Sequence, residues 1–393
     1  MVDLLLKNAK LEQGVMDVFI LAGKISSIAA NLEVEAAKTV DLERRLLLPG
    51  LIETHCHIDK TLTANQVENS AGTLLGAIQN WIAFKPSITK DDYLERGKKA
   101  LEMAISHGTT TLRTHVDVDS NGFLALEALL ELKELFKDKV TMQIVALGNP
   151  ELEFETMIDA MRLGADVVGG CPAIRQNPKL EVENALKLAA VFGKPVDLHV
   201  DENDFSNSLE FLADAVIRLG FDLPVMAGHC CSLDFMSESD AARVIEKVAK
   251  AGISVVSLPA CNLNLQGRGV HPVPRGVTRV SELLQAGVNV CVGSDNVQDP
   301  FHPIGNYSLL SAANLATMAC HMTHDAGIQQ TFEMISSNAA SALSLPNPQI
   351  IVGANADLIV LEVESARQAI CEIAPCFMTI KAGKLIERRS WTS

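Results

Sequence analysis

Short apolar runs bounded by turn signals alternate along most of the chain with longer stretches of helical period. Eight of these runs are predicted to be strands, at residues 46–55, 108–118, 140–149, 165–170, 194–202, 223–230, 253–260 and 288–295. The segments between them, such as 125–138 and 242–252, carry apolar residues at i, i+3 and i+4 with charged residues opposite, as amphipathic helices do. Eight strand–helix units predict a closed (β/α)8 barrel, the TIM-barrel fold. An open, doubly wound α/β sheet is the competing architecture, but no GxGxxG motif follows the first strand.

The two ends of the chain share a different pattern. Residues 18–29 and 377–389 each read as a strand, a tight turn at Ala-Gly-Lys and a second strand, and residues 356–364 add another strand. We therefore expect a small β-sandwich-like domain built from both termini, residues 1–47 and 346–393. The barrel would then occupy residues 48–345.

Metal-ligand and acid–base residue types stand at the ends of four predicted strands. They are His55 and His57 on the first strand, His199 and Glu202 on the fifth, His229 on the sixth and Asp295 on the eighth. Alternate side chains of a strand point to the same side, so His55 and His57 share one face. A lone histidine is more often a rim or core residue, and a lone aspartate is often a helix N-cap. Because the strand ends of a barrel surround one mouth, the whole set favours a single metal site.

Composition and charge narrow the class of partner. The 393-residue chain has a formal net charge of -15, is 48% hydrophobic and 21% charged, and has no basic run. A nucleic-acid partner is therefore not expected, and a small, neutral or weakly charged substrate fits better. No signal peptide or membrane-spanning stretch is predicted. The nine cysteines are expected to be reduced thiols in a cytoplasmic protein.

The order of the strand-end residues resembles that of the amidohydrolase superfamily, and several longer phrases are similar to the bacterial cytosine deaminase family. These phrases are GTLLGAIQNW (72–81), RTHVDVD (113–119), LGADVVGG (163–170), HVDENDF (199–205), LNLQGRG (263–269) and residues 275–301. The similarity extends from about residue 48 to the C-terminus. Members of this family also carry the split β domain. They are commonly oligomeric, so the resemblance implies a homo-oligomer.

The resemblance implies one divalent ion, Fe2+ or Zn2+, held by four residues: His55, His57, His199 and Asp295. The same assignment follows from chemistry, because imidazoles and one carboxylate leave a position for water and lower the pKa of that water. Asp295 is expected to take a proton from the water. Glu202 is expected to carry protons between the water, a ring nitrogen and the departing amine. His229 either hydrogen-bonds the reacting water or coordinates the ion weakly.

The reaction implied is hydrolytic deamination of a free pyrimidine base, cytosine or 5-methylcytosine, to uracil or thymine plus ammonia. The sequence shows no phosphate-binding motif, which favours a free base over a nucleotide. Another cyclic amidine or exocyclic C–N bond, in isocytosine, a creatinine-like ring or an s-triazine, is the alternative. A catalytically inactive barrel is opposed by the complete ligand set. A binuclear centre with a carboxylated lysine is opposed by the lack of a lysine on the fourth strand.

Five residues are assigned to substrate binding: Leu74, Asn149, Gln266, Asn296 and Phe301. Asn149 stands where the family commonly has a glutamine, and Asn296 where a second aspartate is common. Phe301 replaces a common tryptophan and Leu147 a common phenylalanine. A roomier, less charged pocket is expected, which favours a ring with a methyl group such as 5-methylcytosine. Leu74 reads equally well as a core residue.

Gln266 reads equally well as the anchor of a turn. Four further residues near the motifs are expected to have supporting roles. They are Lys60, His115, Asp117 and Asp119. We expect Lys60 to form a structural salt bridge and Asp117 and Asp119 to hold loops or orient ligands. His115 is expected at the rim or behind the ligands rather than on the ion.

Overall fold

The computed structural model describes residues 3–119, 122–149 and 152–388, and it contains two eight-stranded sheets. The strands are β1 (Leu4–Leu11), β2 (Gly14–Leu21), β3 (Lys24–Ala29), β4 (Lys38–Asp41), β5 (Leu46–Pro49), β6 (Leu51–Cys56), β7 (Thr109–Asp117), β8 (Thr141–Leu147), β9 (Val167–Gly170), β10 (Val196–Val200), β11 (Val225–His229), β12 (Ser254–Ser257), β13 (Val290–Val292), β14 (Leu358–Leu361), β15 (Cys376–Lys381) and β16 (Lys384–Arg388).

The helices alternate with the strands through the middle of the chain. They are α1 (Leu74–Phe84), α2 (Lys90–Ser106), α3 (Leu124–Phe136), α4 (Phe154–Leu163), α5 (Pro178–Phe192), α6 (Ser208–Leu219), α7 (Ser232–Phe235), α8 (Glu238–Ala251), α9 (Pro259–Leu265), α10 (Val280–Gln285), α11 (Leu309–Ala319), α12 (Asp325–Met334), α13 (Ser337–Ala342) and α14 (Ala366–Glu372), with short 3-10 helices at Lys85–Ser87 and Pro172–Ile174. Within the described residues, no helix is both long enough and apolar enough to cross a membrane.

Strands β6 to β13 form one parallel sheet in chain order, each strand paired with the next. A parallel bridge between Cys56 and Asp295 brings the first and eighth strands of this sheet together. There the backbone N–H of Asp295 donates to the carbonyl of His55 at 2.8 Å. The predicted (β/α)8 barrel is therefore confirmed, and the bridge that joins its ends lies among the candidate metal ligands.

The second sheet is built from both termini, in the order β16-β15-β14-β5-β1-β2-β3, with β4 paired to β1. Its own apolar cluster includes Leu6, Val18 and Ile380, which come from three different strands. The predicted terminal β unit is confirmed as a mixed sheet. The domain limits given above remain a prediction.

The prediction of one strand over residues 46–55 was wrong, because the chain passes there from one sheet to the other. Strand β5 pairs antiparallel with β14, whereas β6 pairs parallel with β7 in the barrel. Gly50 separates them, and a Cβ on Gly50 would lie 2.3 Å from the side chain of Thr110. β5 and the start of β6 are both apolar and largely buried, so the hydrophobic pattern alone does not reveal the change of sheet.

Helix α8 shows why the predicted helical segments form helices. Ser237 precedes it and accepts a hydrogen bond from the backbone N–H of Asp240 at 3.2 Å, which satisfies one of the free donors of the first turn. Its buried residues Ala241, Val244, Ile245 and Val248 recur at helical spacing, and the helix ends at Gly252 in the left-handed conformation. This apolar stripe packs into the main core between the barrel and its helices.

The interior of the barrel beneath its mouth is polar. Arg113 of β7 is fully buried and donates to Asp197 of β10 at 2.8 Å and to Gln143 of β8 at 2.7 Å. Burial raises the pKa of Asp197 to about 6, although Arg113 opposes the shift. A hydrogen-bonded ion pair of this kind fixes three strands relative to one another directly under the site.

Candidate metal-dependent active site

Four histidines and one aspartate converge at the carboxyl-terminal end of the barrel. They are His55 and His57 at the end of β6, His199 on β10, His229 on β11 and Asp295 after β13, each at most 5% exposed. Nε2 of His57 lies 3.0 Å from Nε2 of His199 and 3.3 Å from Oδ1 of Asp295. Nε2 of His55 lies 3.6 Å from the same oxygen. The structure therefore brings together the four residues that the sequence assigned to the metal.

The donor atoms of this cluster fit a divalent cation. Within the described residues, both ring nitrogens of His55 and both carboxylate oxygens of Asp295 are buried without a hydrogen-bond partner. Nδ1 of His57 and Nδ1 of His199 are in the same condition. Unpartnered polar atoms are costly in a protein interior, and a cation bound to one nitrogen of His55 and to the carboxylate of Asp295 would remove part of that cost. Groups of histidine and aspartate atoms here lie within 4.8 Å of one another, as a shared ion requires.

Burial favours the uncharged form of every residue in this cluster. Burial lowers the pKa of His199 to about 3 and also lowers the pKa of His55 and His57, so these imidazoles are neutral and offer lone pairs. Burial raises the pKa of Asp295 to about 8. The carboxylate of Asp295 therefore gains most from a positive charge beside it.

The local backbone turns these side chains toward one point. His229 and Asp295 have φ values of 68° and 60°, in the left-handed region that residues other than glycine seldom adopt. Such strained residues are common at functional sites, where the surrounding structure holds them in place. Gly228 has no side chain for a related reason, because a Cβ there would lie 2.9 Å from Cε1 of His55.

Glu53 links the two ligand-bearing strands from behind. Its Oε1 accepts the backbone N–H of His55 at 3.0 Å, and its two oxygens accept the backbone N–H of Ser294 at 3.1 and 3.0 Å. Burial raises the pKa of Glu53 to about 7, although these N–H donors oppose the shift. Glu53 was not predicted from the sequence, because a carboxylate before the His-x-His motif has no distinctive spacing.

Glu53→Gln is expected to change how stability depends on pH in the metal-depleted protein. Between the ordinary pKa of 4.5 and about 7, the folded protein keeps a proton on Glu53 that the unfolded chain has lost. The stability of the wild type therefore falls as pH rises through this window, by up to about 3 kcal/mol, and the glutamine variant lacks this contribution. Thermal unfolding of both proteins at about pH 5 and about pH 8 checks this. A wild-type-to-variant difference that stays constant between these pH values contradicts it.

Glu202 lies at the bottom of a cavity, next to the candidate metal ligands. These ligands, which we call the metal cluster, are His55, His57, His199, His229 and Asp295. Its Oε2 is 3.6 Å from Nε2 of His229, and the side chain is buried. Burial, together with the negative charge of Asp295, raises the pKa of Glu202 above its usual value. A carboxyl group with a raised pKa can hold a proton near neutral pH and give it up again, as a general acid and base must.

The cavity has a volume of about 280 Å3 and opens at the barrel mouth. Its inner wall contains His57, His199, Glu202 and His229, so a molecule in it reaches the metal cluster. Its outer wall comes largely from one side of helix α1, with Leu74, Ile78, Trp81 and Ile82. A cavity of this size accepts a single small ring or a compact ring pair.

Four of the five predicted substrate residues line this cavity: Leu74, Asn149, Asn296 and Phe301. Gln266 does not face it among the described residues, and its side-chain amide donates instead to the backbone carbonyl of Glu202 at 3.1 Å. Leu147 lies on the wall, where the sequence predicted extra room. Asn296 is buried and donates to Asp299 at 2.6 Å.

The supporting residues form a charged network beside the cavity. Lys60 contacts Asp59 at 2.8 Å and Asp117 at 2.7 Å, and Asp117 also accepts a hydrogen bond from the indole of Trp81 at 2.7 Å. Burial lowers the pKa of Lys60, but the two carboxylates outweigh it and the net shift is upward. Asp119 pairs with a lysine that follows α1. Asp117 thus holds α1 against the cavity.

His115 lies below the metal cluster rather than at the rim. It is fully buried, its ring centre is 4.0 Å from that of His55, and its Nε2 is 3.8 Å from Oδ1 of Asp197. Placed between the ligands and the buried Arg113–Asp197 pair, it can support the ring of His55.

Sequence reasoning missed several residues of the cavity wall, including Trp81, Cys171 and Arg175. Arg175 bridges Glu181 and the carbonyl of Gly148, each at 2.9 Å, and so fixes the wall beyond Asn149. Positions 74, 78, 81 and 82 repeat at helical spacing, which places them on one side of a helix but does not indicate which surface that side covers. Cys171 and Arg175 lie in a loop without such a pattern.

Comparisons with known proteins identify the family of this chain. The model of the amidohydrolase family matches residues 144–386, more than half of the chain. The chain belongs to the amidohydrolase family. It is therefore a hydrolase of C–N bonds, as the sequence predicted.

Three relatives of this amidohydrolase are similar over nearly their whole length. The pterin deaminase of Rhizobium rhizogenes is 32% identical, with 95% of this chain and 88% of that protein covered. The N-isopropylammelide isopropyl amidohydrolase of a Pseudomonas species is 30% identical, with 98% and 97% covered. The structure of 5-methylcytosine deaminase from Klebsiella pneumoniae with phosphonocytosine is 32% identical, with a TM-score of 0.93 over 100% of this amidohydrolase and 99% of that chain.

Proposed function

We propose that the protein is a metal-dependent deaminase that hydrolyses a free pyrimidine base, 5-methylcytosine or cytosine, to thymine or uracil plus ammonia. The observation that carries this proposal is the position of Glu202, which lies between the metal cluster and a cavity of ring size. The likeness to a 5-methylcytosine deaminase over the whole chain supports the choice of ring.

His55, His57, His199 and Asp295 would hold the cation. When bound, a divalent ion supplies a water of lowered pKa near neutral pH. Asp295 would accept one proton of this water as the water oxygen bonds to the amine-bearing carbon, while Glu202 gives its proton to the adjacent ring nitrogen. Glu202 would then pass the remaining proton of that oxygen to the amine, so that the C–N bond breaks and ammonia leaves, and the proton held by Asp295 would return to Glu202. The product ring keeps a carbonyl.

His229 would orient the reacting groups rather than hold the ion. The side-chain amide of Asn262 lies 3.0 Å from Nδ1 of His229 and donates to it, so the neutral ring carries its proton on Nε2. This is the atom that faces Glu202. His229 can therefore hydrogen-bond either the attacking water or the Glu202 carboxylate.

Leu147→Phe is expected to reduce activity on 5-methylcytosine more than on cytosine. A phenyl ring at this position on the wall takes up space that the methyl group needs, and one methyl group in a tight pocket changes kcat/KM by about 10- to 200-fold. Steady-state kinetics with both bases measure the ratio. Leu163→Phe, on a half-exposed leucine at the end of α4, is the matched control and should leave the ratio unchanged. An equal loss on both bases would contradict this use of Leu147.

A second candidate is hydrolysis of a larger amine-bearing ring, such as a pterin or an N-alkylated triazine. The aliphatic side of α1 favours it, because Ile78 and Ile82 extend the apolar wall outward from the metal cluster. The similarity to a pterin deaminase and to an N-isopropylammelide hydrolase adds support.

One comparison separates the two candidates. Protein with verified metal content is assayed for kcat/KM on cytosine, 5-methylcytosine, isocytosine, pterin and N-isopropylammelide. Released ammonia or isopropylamine is measured directly. The pyrimidine proposal expects the highest kcat/KM on cytosine or 5-methylcytosine. It is wrong if only pterin or the triazine reacts, and both candidates are wrong if no ring releases an amine.

A further inference from the structure

A second group of buried metal-binding atoms lies beside the catalytic cluster. Glu202, Cys261 and Asp295 each offer a donor atom, and these three atoms lie within 4.8 Å of one another. Cys261 stands in the first turn of α9 and is fully buried, as is Asp295, while Glu202 is 6% exposed. No role for Cys261 was predicted from the sequence.

The two oxygens of Asp295 face different partners. Oδ1 faces the imidazoles of His55 and His57, at 3.6 and 3.3 Å, whereas Oδ2 faces His229 at 3.9 Å. Both oxygens are buried without a hydrogen-bond partner in the described part of the chain. One carboxylate can therefore bind one cation with each oxygen, as bridging ligands do in two-metal sites.

The Cys261 thiol interacts with two polar side chains. Its Sγ lies 3.8 Å from Oδ1 of Asn296, which is long even for a sulfur donor, and the thiol also interacts with the carboxyl group of Asp295, whose pKa it lowers against the effect of burial. A cation bound between Cys261 and Asp295 would replace this interaction. A small hydrophobic side chain would fill the same space. Packing alone therefore does not require a thiol here, whereas metal binding does.

We propose that Glu202, Cys261 and the Oδ2 atom of Asp295 form a second, inhibitory site for a thiophilic divalent cation, Zn2+ or Cd2+. This site is separate from the four-residue cluster proposed to hold the catalytic ion and shares only Asp295 with it. The inference rests on that cluster, because Asp295 would bind both ions.

Charge and donor type support this assignment. Two carboxylates and a thiolate bring three negative charges to the pair of sites, which offsets most of the charge of two dications in a buried region. When the second ion binds, the Cys261 thiol and the Glu202 carboxyl group each release a proton to solvent, and the sulfur and a carboxylate oxygen form bonds to the metal. A thiolate among the donors selects Zn2+ and Cd2+ over Mg2+ or Mn2+, which prefer oxygen ligands alone.

Occupation of this site would stop the reaction. A cation bound to Glu202 removes the carboxyl group from proton transfer and occupies the space between the cluster and the cavity. One equivalent of zinc would therefore activate the protein, and further zinc or cadmium would inhibit it. This behaviour would make the deaminase sensitive to excess of thiophilic metals.

The test uses protein that carries Cys371→Ser, because Cys371 is an exposed thiol that would otherwise compete for cadmium at the surface. This protein, loaded with one equivalent of zinc, is titrated with CdCl2. Bound metals are measured by mass spectrometry after dialysis, the thiolate-to-cadmium charge-transfer band by ultraviolet absorption, and activity by ammonia release. We expect a second equivalent of metal, a charge-transfer band and loss of activity at the same cadmium concentration.

Cys261→Ala and Cys261→Ser are the variants, with two substitutions in case one of them folds poorly. Both should retain the activity of the one-zinc protein and lose the charge-transfer band. The cadmium concentration needed for inhibition should rise at least about tenfold, since loss of even an outer partner of a ligand costs about 10- to 100-fold in affinity. Cys171→Ser is the matched control, because Cys171 lines the same cavity but lies outside the group of three.

Two results would overturn the proposal. One is a second equivalent of cadmium that binds Cys261→Ala as tightly as the parent protein. The other is a charge-transfer band that survives in Cys261→Ala and disappears in Cys171→Ser. Failure of the first equivalent of zinc to bind is a different result, because it would contradict the catalytic cluster itself.

Discussion

Replacing Glu202 by glutamine is expected to lower kcat/KM by about 10²- to 10⁴-fold, the usual contribution of a positioned general acid and base. Glutamine has nearly the same shape but cannot release or accept the proton that the ring nitrogen and the amine require. Glu202 is not among the four proposed ligands of the catalytic ion, so the metal content of the variant should equal that of the wild type. Ammonia release and metal content, measured on the same preparation, check both parts.

Glu153→Gln is the matched control for Glu202→Gln. Glu153 is a second glutamate on the cavity wall, at the start of α4, and no part of the proposed mechanism uses it. Its substitution should change kcat/KM by less than about tenfold. If Glu202→Gln retains most of its activity, or if it loses its metal, then Glu202 is not the group that transfers protons.

Replacing His57 by alanine is expected to empty the catalytic site and abolish activity. Nε2 of His57 lies between His199 and Asp295, so its loss leaves a gap in the middle of the ligand set. The cation supplies several kcal/mol of stabilisation to the developing charge, which corresponds to about 10³-fold or more in rate. Metal content by mass spectrometry and ammonia release measure the two effects.

A chelator provides a second measurement of the same prediction. Metal-depleted wild type should be as inactive as His57→Ala, and added Zn2+ or Fe2+ should restore the wild type alone. His302→Gln is the control, since His302 is also buried and hydrogen-bonds the carbonyl of Asn296 outside the cluster. Full metal content in His57→Ala would show that the ion binds elsewhere.

The sequence predicted the barrel because each of its strands is a short apolar run followed by a helix of regular period. It predicted the metal cluster for a related reason: His199, His229 and Asp295 each follow such a run. In a parallel barrel the carboxyl ends of all strands lie at one face, so residues that follow different strands in the sequence lie close together in the structure. The change of sheet at Gly50 was missed, because the strands on both sides of it are buried and their apolar patterns merge.

The cavity wall was predictable only where the resemblance supplied the positions. Trp81 reaches the site on a helix inserted between the first two barrel strands, and no periodicity tells where such an insertion packs. Glu53 and Cys261 lie close to residues more than 30 positions away in the sequence, Ser294 and Asp295 respectively. Contacts of this kind depend on the three-dimensional closure of the barrel.

The order of pairing in the terminal sheet has a consequence for how the protein is made. Strand β5, which leads directly into the strand that carries His55 and His57, lies between β1 and β14 in that sheet. During synthesis the ribosome releases β14 only after nearly the entire barrel has emerged. The segment ahead of the first two histidines can therefore complete its strand pairing only when the last strands of the chain are available. A nascent or C-terminally truncated polypeptide would expose an unpaired β5 edge, which favours aggregation or chaperone binding.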